Sequence, residues 1–197
     1  MIKNDELILK DQKVTELIIY LFEKYGDFLL FTGGTSLAKS GLINRFSEDV
    51  DLLINKKCSR KDIVESLRTF GDVKELEESN DDIRQFEMNV SGVRIKVDIK
   101  SIDSSYFNFM KSQNSLKSIS SINGEIKENT NINIKKMEFI FIDKCFAILE
   151  NYGEKFKSIP KRKYVKNKIE FDIRLSRHYY DICILYDLLK LFDVKDF

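Results

Sequence analysis

Residues 31–54 read FTGGTSLAKSGLINRFSEDVDLLI: an apolar run breaks on two glycines and a hydroxyl, then returns with two carboxylates one residue apart. The first half, from DFLLFTGG, reads as a short buried strand. It leads into a helix, SLAKSGL, with Thr35 and Ser36 as candidate caps and Gly41 marking the end. The second half, EDVDLLIN, reads as another strand. Residues i and i+2 of a strand share a face, so Asp49 and Asp51 stand side by side while Val50, Leu52 and Ile54 face the other way. Unpaired, these carboxylates repel; a divalent cation between them relieves the repulsion, and hard oxygen ligands suit Mg²⁺. A strand with one solvated face is the plainer reading of Asp-x-Asp alone. The TGGTS stretch lies upstream at a strand end entering a helix, where free backbone N–H groups and the helix dipole favour an anion. Gly33 and Gly34 let a phosphate approach the backbone, and Thr35 or Ser36 adds a hydroxyl donor. The GxxxxGK[ST] spacing of a P-loop is absent.

Outward from this stretch the pattern alternates between helical and extended. Leu7, Val14, Leu17, Ile18, Leu21 and Phe22 recur at helical spacing, predicting an amphipathic helix over 5–25 that Gly26 ends. SRKDIVESLRTF predicts a helix capped by Ser59 and closed at Gly71. VKELEES, DIRQFEMNV and VRIKVDIKSI alternate as strands do, with Ser91 and Gly92 as the turn between the last two. From EFIFIDKCFAILENY onward the period is helical, and EFDIRLSRHYYDICILYDLLKLF is a second long helix. Residues 105–135 are polar and poorly periodic, and no element is assigned to them. The order predicts an α/β (α+β) core over 1–135 and a C-terminal helical part over 136–197.

Bulk composition narrows the class. A chain of 197 residues with 43% hydrophobic residues holds one domain with a real core, or such a domain plus a helical extension. Its charged residues balance to +1, so a polyanionic partner has to be argued locally. No apolar run approaches the roughly 20 residues that span a bilayer, and MIKNDELILK lacks the apolar core of a signal peptide. A soluble, cytoplasmic protein with no membrane association is expected. Cys58, Cys145 and Cys183 are odd in number and form no CxxC pair, and core thiols are the expectation.

A third carboxylate, Asp98, lies between Val97 and Ile99 in VRIKVDIK. If that strand pairs beside EDVDLLI, three carboxylates converge, which is what two metals need to bridge a nucleoside triphosphate and activate an attacking oxygen. Between Lys155 and Arg177, nine Lys/Arg residues stand against Glu170 and Asp172 and are interleaved with Phe156, Tyr164 and Phe171. That segment, 155–177, could track an RNA backbone with rings to stack on unpaired bases; a solvated lysine-rich loop is the alternative.

Gly33-Gly34-Thr35 followed by RFSEDVDLLI, then VDIK and RLSRHYYDICIL, resembles the AbiEii/AbiGii toxin group of nucleotidyltransferases, distant relatives of the polymerase beta superfamily. The resemblance covers most of the chain and is strongest at 31–54 and 170–185. It implies a nucleotidyltransferase-like mixed-sheet core and a C-terminal helical part that completes the nucleotide cleft. It also implies metal-dependent transfer of a nucleoside monophosphate from an NTP, with pyrophosphate leaving. The metal is Mg²⁺, with Mn²⁺ as the alternative, and its ligands are Asp49, Asp51 and, as the superfamily's third carboxylate, Asp98. Gly33, Gly34, Thr35 and Ser36 would hold the β and γ phosphates, with Arg45 as a further phosphate contact. By motif, a helix lysine and a later aspartate map to Lys144 in FIDKCFAIL and Asp181 in RHYYDICIL. Flanked by Ile142, Cys145 and Phe146, Lys144 either snorkels or reaches an anion. Asp181 either makes an i, i+4 pair with Arg177 or orients Lys144 or Arg177 toward the nucleotide. His178, the only histidine, reads as structural or nucleotide-adjacent. By the same resemblance the biological role is the toxin of a toxin–antitoxin or phage-defence pair, with an RNA (tRNA) acceptor and a cognate antitoxin. A small-molecule, aminoglycoside-like nucleotidyltransferase and a non-catalytic nucleotide-binding module are the rival readings.

Overall fold

The computed structural model describes residues 4–47, 49–76, 83–116, 131–157 and 173–191. In order these form α1 (Asn4–Tyr25), β1 (Leu29–Thr32), α2 (Gly33–Lys39), β2 (Asp49–Asn55), α3 (Arg60–Phe70), β3 (Asp72–Glu75) and β4 (Ile83–Val90). They continue with β5 (Val93–Ile102), α4 (Ser104–Met110), β6 (Lys111–Ser115), β7 (Asn131–Lys135), α5 (Met137–Lys157) and α6 (Ile173–Leu191). The chain divides into two units, Met1–Lys136 and Met137–Phe197. No helix among the described residues is long and apolar enough to cross a membrane.

The first unit is a seven-stranded mixed sheet in the order β3-β4-β5-β2-β1-β7-β6. Neighbours pair antiparallel except β2 with β5 and β1 with β7, which are parallel. Alternation along the strands sorts the side chains. Phe31, Val50, Leu52, Ile54, Phe86, Met88, Ile95, Val97 and Ile99 face one way and pack on Val14, Leu17, Ile18 and Leu21 of α1 and on Ile63 and Leu67 of α3. At the predicted turn between β4 and β5, Ser91 and Gly92 both adopt positive φ (52° and 84°), as a two-residue type I′ loop demands. Ser59 caps α3, accepting from the Asp62 amide at 3.3 Å.

The opposite face is divided. Leu30 and Leu53 form a small apolar cluster with Phe107 of α4, so α4 covers one end of that face. Here the structure supplies what the periodicity could not: the unassigned stretch 105–135 contributes most of α4 and the strands β6 and β7. β6, KSQNS, carries no apolar residue, and β7, NINIK, alternates Ile132 and Ile134 over only five residues, too short a rhythm to stand out from the polar stretch around it.

α2 differs from expectation at its start. It begins at Gly33, two residues before the hydroxyls expected to cap it, and Thr32 is its N-cap residue without a side-chain cap bond. It is anchored by a buried ion pair: Lys39 Nζ lies 2.5 Å from Asp11 Oδ1 and donates to Thr15 Oγ1 at 2.7 Å. Burial pushes the Lys39 pKa down, against the charge and hydrogen bond of Asp11. Breaking such a pair leaves a buried charge alone, so Asp11→Ala is expected to cost about 3–5 kcal/mol, or roughly 10 °C in melting temperature. The double replacement Asp11→Leu with Lys39→Met should recover most of that loss in the same melting experiment.

Among the described residues, the second unit is a pair of packed helices, α5 and α6. The expectation of core thiols fails for Cys183, which is exposed, while Cys58 and Cys145 are half-buried; all three are free.

Candidate active site

Strand pairing assembles the acidic residues. β1 and β2 pair antiparallel with Thr32 opposite Asp51, and β2 and β5 pair parallel with Asp51 opposite Asp98 and Asp49 opposite Lys96. Laterally paired residues share a face, so Thr32, Asp51 and Asp98 form one row on the face away from the main core, with Asp49 one step along. Asp49 is exposed, and Asp51 and Asp98 are half-buried.

The glycine turn meets this row. Gly33 adopts φ 74°, and a Cβ built there would sit 1.9 Å from Asp51 Oδ2 and 2.7 Å from its Cγ. The carboxylate thus occupies the space any larger residue at position 33 would fill. Gly34 does the same for Arg45: a Cβ would lie 2.3 Å from Nη2. Arg45, half-buried, also donates to the Phe46 carbonyl at 3.2 Å, so its guanidinium is packed on the turn and is not a loose surface cation. Both hydroxyls of the turn are engaged inside it: Thr35 Oγ1 and Ser47 Oγ share a hydrogen bond of 2.8 Å, and Ser36 Oγ donates to the Gly33 carbonyl at 2.8 Å.

Asp98 is held asymmetrically. Gln85 Nε2 donates to its Oδ2 at 3.0 Å and Lys96 Nζ lies 3.5 Å from the same oxygen, while Oδ1 is buried with no hydrogen-bond partner. Burial pushes the Asp98 pKa up; Lys96 and the Gln85 hydrogen bond oppose this, and the charge of Asp49 adds to it. The Thr32 hydroxyl oxygen is likewise buried without a partner.

These residues fit a hard divalent cation in their chemistry: carboxylate oxygens on one sheet face and an orphaned acceptor on Asp98. The fit is not yet a closed cage, since among the described residues no three acidic, histidine or cysteine side chains stand grouped as a metal site. Asp51 leans on Gly33 while an oxygen of Asp98 is engaged by Gln85 on the far side of β5, the separation that mutual repulsion favours.

In the second unit, Lys144 of α5 and Asp181 of α6 form a buried ion pair, Nζ to Oδ2 at 3.1 Å. Of the two readings of Lys144, snorkelling is excluded by its burial, whereas its apolar neighbours Ile142 and Phe146 are exposed. Asp181 is committed to a lysine on another helix. His178 is half-buried on α6. Most of the basic segment 155–177 lies outside the described residues.

Sequence reasoning missed Ser47, Gln85 and Lys96. Lys96 carried a usable signal, because Lys96 and Asp98 are i and i+2 of a strand and share a face; Gln85 carried none without the register.

The family model described as nucleotidyl transferase AbiEii toxin, type IV TA system, matches residues 19–196, and the chain belongs to that family. No curated protein matches it. Among solved structures, the lincosamide antibiotic adenylyltransferase LnuA, lincomycin-bound, aligns with a TM-score of 0.53 at 13% identity, over 90% of this chain and 96% of that one. The antibiotic-resistance factor ANT(2'')-Ia aligns at 0.50 and 12% identity, over 92% and 84%. JHP933 from Helicobacter pylori aligns at 0.45 and 17% identity over 73% of this chain, which spans only 57% of the Helicobacter protein. At these identities the likeness is one of fold.

Proposed function

We propose that the protein transfers a nucleoside monophosphate from an NTP to RNA, tRNA by the resemblance, and acts as the toxin of a toxin–antitoxin or phage-defence pair in the cytoplasm. The observation that supports this reading is the Asp51 carboxylate seated against Gly33, a group able to hold a cation beside the glycine turn that would take the phosphates. Asp49 and Asp51 would hold the cation, with Asp98 Oδ1 as a third donor; Mg²⁺ or Mn²⁺ held there would supply charge neutralisation for the triphosphate and ease ionisation of the attacking hydroxyl. The backbone of Gly33, Gly34, Thr35 and Ser36 and the Arg45 guanidinium take the β and γ phosphates. The acceptor oxygen forms a bond to the α phosphorus as the bond to the bridging oxygen breaks, and pyrophosphate leaves with that electron pair. By the resemblance alone, Lys144 and Asp181, the buried ion pair of the second unit, are further candidate catalytic residues.

Support for an RNA acceptor comes from the exposed rings of α4. α4, which sits beside the acidic row on the same sheet face, turns Tyr106 and Phe109 outward at 64% and 63% exposure. Lys136 Nζ lies 5.3 Å from the Phe109 ring centre. Rings and ammonium groups together suit unpaired bases and phosphates. The fold likeness to LnuA and ANT(2'')-Ia favours the second reading, a small-molecule acceptor.

An assay with α-labelled NTPs, Mg²⁺ and either tRNA or small alcohols of the antibiotic class separates them. Label at RNA 3′ ends with pyrophosphate release is expected. Label on the small molecule alone favours the second reading, and nucleotide binding without pyrophosphate release makes the protein a binding module.

A further inference from the structure

We propose that Gln85 is a positioning residue for the metal site, fixing Asp98 so that a single oxygen, Oδ1, is presented to the cation. This rests on the reading above that the acidic face binds a divalent ion. Gln85 lies on β4, directly opposite Asp98 in the β4–β5 register, and its amide donates to Oδ2 at 3.0 Å. In the strand order β4-β5-β2, Gln85 and Asp51 flank Asp98 on opposite sides. The oxygen that answers Gln85 is therefore engaged on the side away from Asp49 and Asp51, and the other is left buried with no donor.

The choice of an amide is chemically apt. A lysine or arginine at position 85 would hold Asp98 as firmly but would neutralise the charge a cation needs. A neutral N–H donor fixes the carboxylate without cancelling it, which is the usual task of groups that hold metal ligands from behind. Lys96 already supplies one positive charge, at the longer distance of 3.5 Å and from a side chain that is 38% exposed. The restraint on rotation must therefore come chiefly from Gln85.

The test is Mn²⁺ binding, measured by calorimetry and by the Mn²⁺ electron paramagnetic resonance signal, on the full chain and on Gln85→Leu, Gln85→Met, Asp98→Asn and the Gln85→Leu/Asp98→Asn double variant. Gln85→Leu is expected to weaken Mn²⁺ about 10- to 100-fold while leaving the metal-free melting temperature within a few degrees. Gln85→Met, close in shape, uncharged and without the donor, should weaken binding about as much and keeps the test open if the leucine variant misfolds. In the double variant the loss should equal that of Asp98→Asn alone, because Gln85 acts through Asp98. Wild-type affinity in either Gln85 variant, or losses that multiply in the double variant, overturns the positioning role while the metal reading stands. A wild-type protein that binds no Mn²⁺ overturns both.

Discussion

Gly33→Ala is expected to abolish nucleotide transfer, by a factor of about 100 or more, with only a modest loss of stability. The added methyl would stand 1.9 Å from Asp51 Oδ2, a distance at which no pair of atoms coexists, so either the turn or the carboxylate has to move. A second cost is backbone-borne: φ at Gly33 is 74°, a region that costs an L-residue about 1–2 kcal/mol. For a chain of this length that penalty corresponds to a fall in melting temperature of roughly 2–8 °C. Gly34→Ala provides the contrast. Its methyl meets the far end of the Arg45 side chain, which can swing aside, so a raised KM for NTP with a smaller change in kcat is expected. If Gly33→Ala retains wild-type kcat, the apposition of turn and carboxylate has no catalytic meaning.

Asp51→Ala is expected to lower kcat by roughly 10³-fold, the loss of about 4 kcal/mol of cation-mediated stabilisation of the transition state. The same substitution should lower the metal-free melting temperature by far less than Asp11→Ala does. Asp51 stands two residues from Asp49 on one strand and directly beside Asp98 on the next, so the loss of its own contacts is offset by the like-charge repulsion removed with it. The two measurements separate chemistry from scaffolding. A melting loss as large as that expected for Asp11→Ala would make Asp51 a structural residue, since only groups whose burial or pairing supports the fold behave that way.

The elements that the sequence made legible are those whose signal is local. The alternation in DIRQFEMNV and VRIKVDIKSI, the Ser91-Gly92 turn and the Ser59 cap each depend on residues within a few positions of one another, and each stands where the pattern put it. The failures are equally physical. α2 begins at Gly33 because the chain must turn sharply after β1 to clear Asp51, a residue nearly twenty positions away. Cys183 lies in an apolar helical pattern yet is exposed, because the face a helix buries is chosen by its neighbours as well as by its own residues. Lys144 shows the converse, a charge on an apolar helix that is buried against Asp181 of another helix while Ile142 and Phe146 beside it are exposed.

By itself the sequence determined the strand and helix periods, the paired carboxylates on one strand face and the family to which the motifs point, because side-chain alternation and motif spacing are properties of neighbouring residues. Only the tertiary structure decided that Asp51 sits between Thr32 and Asp98, that its carboxylate fills the space left by Gly33, and that Gln85 holds Asp98 from behind. Those facts follow from strand order and register, which are set by burying one face of a seven-stranded sheet against α1 and α3, and no local pattern records them.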